Sequence, residues 1–155
     1  MEAGKPKRKV NTARTKSIDM LMANVAANVL NSEAKMSVPK EFHDITENDV
    51  HIIEAVGISE PRKSSEIARK LGVTAGTLTV NLNSLEKKGY VVRKRSSLDK
   101  RVVYVILTDK GKKAFMHHKN VHNRIIRDAL KDFSEMELDI LHSCLEKLDN
   151  FFNGI

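Results

Sequence analysis

The chain has one cysteine, Cys144, among 155 residues. A lone thiol excludes a disulfide framework within the chain and any cysteine-rich zinc ribbon, and it suits a reducing cytosol. Long apolar runs are missing as well. The best candidate, Ile18 to Leu30, is interrupted by Asp19, Asn24 and Asn28. It is too polar and too short for a membrane span, and nothing before it has the form of a secretory leader. There is no Gly-rich phosphate loop, no Gly-x-Ser-x-Gly elbow and no pair of acids beside a nucleophile, which disfavours an enzyme. No internal repeat is visible. With 41% apolar and 30% charged residues, the composition is that of an ordinary globular chain. A collagen, a mucin, a transmembrane bundle and a wholly disordered chain are excluded. The length fits one compact domain, or two small ones sharing a core.

Acidic residues are in the minority. Lys and Arg number 27 against 20 Asp and Glu, a net charge of +7. Such an excess suits an anionic partner: nucleic acid, acidic lipid or an acidic protein. The charge is unevenly placed. Residues 1–16 hold six basic residues and one acid, residues 85–113 hold ten basic and three acidic, and residues 128–155 hold two basic and seven acidic. A positive stripe against an acidic C-terminus is the footprint of a duplex-binding face, with a merely solvated Lys-rich surface as the competing reading. The first block, with Lys5-Pro6-Lys7-Arg8-Lys9, reads as a disordered basic arm.

Helical periodicity begins near Ser17, where Ile18, Leu21, Met22, Val25 and Val29 recur at three- and four-residue steps. After Pro39, Thr46 and Asp49 form a capping-box pattern ahead of Val50, Ile53 and Val56, and Gly57 stops that helix. Ser64 to Val73 predicts a short helix closed by Gly72. Thr74 caps the next, whose Leu78, Leu82 and Leu85 share one face before Gly89. Two helices around a Gly-containing turn within about 25 residues make a helix-turn-helix. The period then drops to two. Tyr90–Arg95 and Val102–Leu107 read as strands joined by the polar loop 96–101, a hairpin. Thr108 caps a helix carrying Ala114, Phe115, Val121, Ile125, Ile126 and Leu130. Ser134 and Glu137 form the capping box of the last, which carries Leu138, Leu141, Leu145, Leu148, Phe151 and Phe152.

A helix-turn-helix followed by a basic hairpin is a winged helix-turn-helix. In this arrangement the second helix reads base edges in the major groove, and the hairpin reaches the backbone or the narrow, negative minor groove. With the three leucines inward, the opposite face carries Gly76, Thr79, Val80, Asn83 and Lys87, flanked by Thr74 and Thr77. These, with Ser64 at the start of the first helix and Arg95, Asp99, Lys100 and Arg101 in the wing, are the candidate DNA-binding residues. Asp99 is expected to orient Arg101 through a charge-assisted bond.

The runs Ser65-Glu66-Ile67-Ala68, Leu71-Gly72-Val73, Leu85-Glu86-Lys87-Lys88-Gly89-Tyr90-Val91, Asp99-Lys100-Arg101 and Leu107-Thr108-Asp109-Lys110-Gly111 resemble the MarR family of bacterial transcription regulators. The likeness covers about residues 17–152. It implies a mainly α fold with a small antiparallel β-hairpin wing, and a homodimer reading a palindromic double-stranded operator. It also implies a minor-groove role for Arg101, with Asp99 as its partner. Within the family, Val73-Thr74-x-Gly76-Thr77-x-Thr79 and Leu82-Asn83-x-Leu85-Glu86-x-Lys88-Gly89-Tyr90 resemble the branch that represses fatty-acid biosynthesis genes, as does the placing of His118 and His122. That branch implies an acylated acyl carrier protein as corepressor. The long basic arm departs from it.

The expected organisation is a basic, disordered arm over 1–16, helical dimerisation segments over 17–45 and 109–155, and a DNA-binding domain over 46–108. The chain is expected to be cytoplasmic, without cofactor or membrane partner, and the ligand pocket has no sequence signature. His118 and His122, one turn apart, are candidate zinc ligands, with Glu41 or His43 as added donors. The favoured reading is polar surface or cleft histidines, with no metal bound. Some relatives sense zinc on this helix, so a response to zinc or another small ligand is the alternative function. Cys144, among Leu141, Leu145 and Leu148, reads as a buried, inert thiol. Relatives that sense oxidants carry a cysteine in the first helix, where this chain has none.

Overall fold

The structure is a computed structural model that describes residues 12–35 and 39–154. Its first unit contains helix α1, Thr12–Lys35, and its second takes in the chain from Ser37 onward. Helix α1 starts earlier than the periodicity suggests. Residues 12–16, assigned to a disordered arm from sequence, form its first turns. The segment Ala13-Arg14-Thr15-Lys16 contains no Pro or Gly, and its basic residues propagate a helix well, so charge density alone was a poor guide there. The rest of the arm, residues 1–11, lies outside the described residues.

The second unit opens with a single tight helical turn, Lys40–Phe42. Next come α2 (Glu47–Val56), β1 (Arg62–Lys63), α3 (Ser64–Leu71), α4 (Ala75–Lys87), β2 (Val91–Arg95), β3 (Val103–Leu107), α5 (Asp109–Leu130) and α6 (Glu135–Asn153). The expected two-stranded wing is a three-stranded antiparallel sheet in the order β1-β3-β2. Arg62 lies opposite Val105 and Lys63 opposite Tyr104, and the hairpin register pairs Val91 with Leu107 and Arg95 with Val103. The fold is thus mainly helical with a small sheet, as the sequence pattern requires.

Local chemistry sets the helix ends. The Thr46 hydroxyl accepts from the Asp49 N–H while the Asp49 carboxylate accepts from the Thr46 N–H, a reciprocal cap. Ser134 and Glu137 repeat it on α6. Helix α3 ends at Gly72 with φ +65, a left-handed residue that lets the Val73 N–H reach back to the Ala68 carbonyl and turns the chain into α4.

The core sits where α2, α3, α4 and the sheet meet. Val56, Ile67, Leu78, Leu82, Leu85, Tyr90, Val91 and Val105 are essentially inaccessible to solvent. Burying an aliphatic side chain of this size contributes roughly 1.5–3 kcal/mol. This packing fixes which face of α4 remains outside. One charge is buried with the core: Asp49 is paired with Lys88 Nζ at 2.8 Å, which ties the start of α2 to the end of α4. Alone, either charge would carry a desolvation cost.

Tyr90 joins the wing to α5. Its ring is fully buried, and Lys110 Nζ lies 4.1 Å above the ring centroid. Its single hydroxyl proton is directed at Asp44, 2.5 Å away, with the Glu41 carbonyl a second, longer contact at 3.2 Å. Its carbonyl accepts from the Thr108 N–H at 3.0 Å. Thr108 also caps α5 by accepting from the Gly111 N–H, and its own hydroxyl donates to the Gly89 carbonyl. The spacing Leu-Thr-x-x-Gly is therefore a seat for the first turn of α5 on the end of the Gly89-Tyr90 turn.

Candidate nucleic-acid interface

Leucine burial leaves a solvent face on α4. Gly76, Thr79, Val80, Asn83 and Lys87 are all exposed there, Val80 at 67%, and Thr74 and Thr77 are exposed at its N-terminus. Several of these polar groups have duties inside the chain. Thr74 is the cap: its hydroxyl accepts from the Thr77 N–H at 3.1 Å and lies 2.9 Å from the Thr77 hydroxyl. The Thr79 hydroxyl donates to the Ala75 carbonyl at 2.7 Å, so its oxygen keeps acceptor capacity only. Ser64 begins α3 and is half-buried.

The wing loop folds on itself. Ser96 Oγ accepts from the backbone N–H groups of Leu98 and Asp99, and the Val102 N–H donates to the Asp99 carbonyl. The side-chain bond by which Asp99 was expected to orient the Arg101 guanidinium does not form. The Asp99 carboxylate accepts from the Arg101 backbone N–H at 2.9 Å. An acid two residues ahead of a backbone N–H closes an Asx turn, which mimics a backbone turn and engages the carboxylate locally, and this explains the difference. Arg95, Lys100 and Arg101 are exposed.

Between α4 and the wing lies a contact that the sequence reading missed. Arg93 of β2 donates to Glu86 through Nε at 3.0 Å and through a terminal nitrogen at 2.6 Å, and its backbone N–H donates to the other Glu86 oxygen at 3.0 Å. The same terminal nitrogen donates to Asn83 Oδ1 at 2.7 Å. The guanidinium bond is the main reason that the Glu86 carboxyl is held below its ordinary value, against an opposing effect of burial. Glu86, Arg93, Arg95 and Val103 line a hollow of about 310 Å³ there. The available signal was an acid late in α4 and a basic residue early in β2, but helix-to-strand pairs have no fixed spacing to reveal them.

The histidines are engaged elsewhere. His118 Nε2 lies 3.3 Å from Glu54 Oε1 of α2, and the His117 ring packs on Phe42 with centroids 5.8 Å apart. Among the described residues no three His, Cys, Asp or Glu side chains converge on a possible metal position, so the zinc set sketched from sequence is not assembled there. Cys144, expected to be buried, is exposed within the single chain. It lies on α6, which buries none of its residues in one copy.

A family model described as the MarR family matches residues 43–102. The transcriptional regulator SarZ of Staphylococcus saprophyticus is 35% identical over 114 residues, which cover 74% of this chain and 74% of SarZ. The chain belongs to the MarR family. Its relatives are transcriptional regulators, and so is it, rather than an enzyme. Among solved MarR-type structures, Streptococcus pneumoniae FabT in complex with DNA superposes with a TM-score of 0.78 at 30% identity, covering 91% of this chain and 98% of FabT. A MarR family protein from Bacillus stearothermophilus gives the same TM-score at 21% identity, covering 93% and 99%, which shows the shared winged-helix fold. Among the described residues no helix is long and apolar enough to cross a membrane.

Proposed function

We propose that the chain is a cytoplasmic, homodimeric repressor of fatty-acid biosynthesis genes, binding a palindromic double-stranded DNA operator under the control of an acylated acyl carrier protein. The observation that carries the DNA half is the uncovered face of α4 beside a basic wing, in a chain 30% identical to FabT, itself solved with DNA. In this reading α4 lies in the major groove. Gly76 admits the backbone closely, Thr74 and Thr77 meet phosphates or bases, Thr79 offers its oxygen to a base donor, the Val80 methyls meet thymine methyls, and Asn83 reads a base edge. Ser64 and Lys87 contact phosphate. Arg95, Lys100 and Arg101 serve the wing, with Arg101 in the minor groove and Asp99 shaping the turn that presents it. The fatty-acid role rests on the likeness of residues 73–90 to that branch. The carrier protein is itself an acidic protein in this reading, which suits the basic surface. It would act by binding the DNA-competent spacing of the two α4 helices better than the alternative.

Gel-shift titration on fatty-acid promoter fragments, with and without acylated carrier protein, tests both halves. Tighter binding with the carrier protein is expected, and unchanged affinity removes the effector. Arg101→Ala should weaken specific binding by tenfold or more, about 1.4 kcal/mol. An unaltered affinity would mean that the wing is misassigned.

A further inference from the structure

Asn83 is usually the kind of residue that reads adenine. Its carbonyl oxygen accepts from the 6-amino group and its amide nitrogen donates to N7, a two-bond fork that uses one lone pair of Oδ1 and one N–H of Nδ2. In this chain one of the two lone pairs of Oδ1 is already taken. The Arg93 terminal nitrogen donates to Asn83 Oδ1 at 2.7 Å, and the same guanidinium is locked by Glu86 through two further bonds at 3.0 and 2.6 Å. A guanidinium has no acceptor, so it can hold the amide in only one orientation, with Oδ1 toward Arg93 and Nδ2 away. Among the described residues nothing accepts from Nδ2, and Asn83 is exposed. The positive charge beside Oδ1 polarises the amide, strengthens Nδ2 as a donor and disfavours a second donor at the oxygen.

We propose that Arg93 is a positioning residue for specificity, which turns Asn83 into a one-way donor toward a hydrogen-bond acceptor on the duplex. This rests on the DNA-binding reading above. The acceptor is a base-edge atom, such as guanine O6 or N7, adenine N7 or thymine O4. The adenine 6-amino group is not read. Arg93 itself touches no base. Glu86 supplies the rigidity: without it the guanidinium would lose two of the bonds that fix its plane.

The test is selection of binding sites from random duplexes by the full chain, followed by affinity measurements on the enriched site. Wild type, Asn83→Ala, Arg93→Met and the double variant are compared, with folding checked by circular dichroism. Arg93→Met should relax preference at the same base pair as Asn83→Ala, each by about tenfold, and the double variant should be no worse than either. On the wild-type site, replacing each adenine by purine, which lacks the 6-amino group, should leave the Asn83-dependent position unchanged. A 7-deaza purine there should lose about tenfold if the acceptor is N7. Methylphosphonate sensitivity with no base-pair preference would put the contact on phosphate and overturn the specificity role.

Purine sensitivity at that position in wild type, or full additivity of the two substitutions, overturns the proposal. Should Arg93→Met fail to fold, Asn83→Asp decides: it keeps a partner for Arg93 but has no donor, so it must lose as much as Asn83→Ala. Retained affinity overturns the proposal. Failure of wild type to enrich any duplex would instead overturn the DNA-binding reading itself.

Discussion

Gly111 has no room for a side chain. A Cβ built there would fall 2.1 Å from the Tyr90 carbonyl oxygen and 3.3 Å from Leu107 Cβ. The obstacle is backbone, which cannot swing aside as a long side chain would. Gly111→Ala should therefore lower stability by about 2–3 kcal/mol, read as a lower urea midpoint at an unchanged m-value. Glu86 makes a prediction of another kind. Its folded pKa lies below its ordinary value of 4.5 because Arg93 bonds the charged form. The stabilisation is thus present above the unfolded pKa and is lost as pH falls through the folded one. Wild type should lose stability below about pH 4.5, and Glu86→Gln should flatten that part of the profile of urea midpoint against pH. The side chain is 37% exposed, so solvent screening keeps the effect small. Tyr90 shifts in the opposite direction: burial first, then the bond to Asp44, push its phenol up.

At the scale of elements, the parts legible in sequence were those that depend on neighbours a few residues away. Thr46, Thr74, Thr108 and Ser134 all cap the helices they were expected to cap, because a cap needs only a side-chain oxygen and an N–H three positions on. The period of two that puts Val91 and Arg93 on one face, and Val103 and Val105 on one face, was equally local. Strand β1 was invisible: two residues, Arg62 and Lys63, carry no period, and only β3 makes them a strand. The candidate residues of α4 were legible as a face, since three leucines fix the opposite side. Their internal bonds were not, because Arg93 meets Asn83 and Glu86 only once helix and sheet are packed. Thr108→Ala should cost about 1 kcal/mol in thermal or urea unfolding, for the lost cap of α5. Because the same hydroxyl holds Gly89, amide exchange should quicken at both Gly111 and the Gly89 turn.

At the scale of the whole molecule, α6 carries exposed apolar residues on more than one side in one copy. Met136, Ile140, Leu145, Phe151 and Phe152 are exposed, Phe152 at 62%, and the helix buries no residue. Apolar exposure of this extent is a liability in a free monomer and suits the homodimer proposed above. Replacing Ile140 and Phe152 together by Asp should shift sedimentation from twice the 17.5 kDa chain mass to that mass. Sedimentation unchanged by the double variant would place the dimer contact elsewhere.

The seat of α5 also has an arithmetic of leverage. The helix has 22 residues, so it is about 33 Å long, with its first turn fixed on the Tyr90 carbonyl. A tilt of about 5° at that root moves the far end by about 3 Å, on the scale of known helix shifts. The rule works in reverse: a displacement of a few ångströms at the α6 end arrives at the wing as a small rotation, with little loss to bending. Glycine at 111 keeps the pivot tight, and a looser pivot would let the two ends of the subunit move without informing each other.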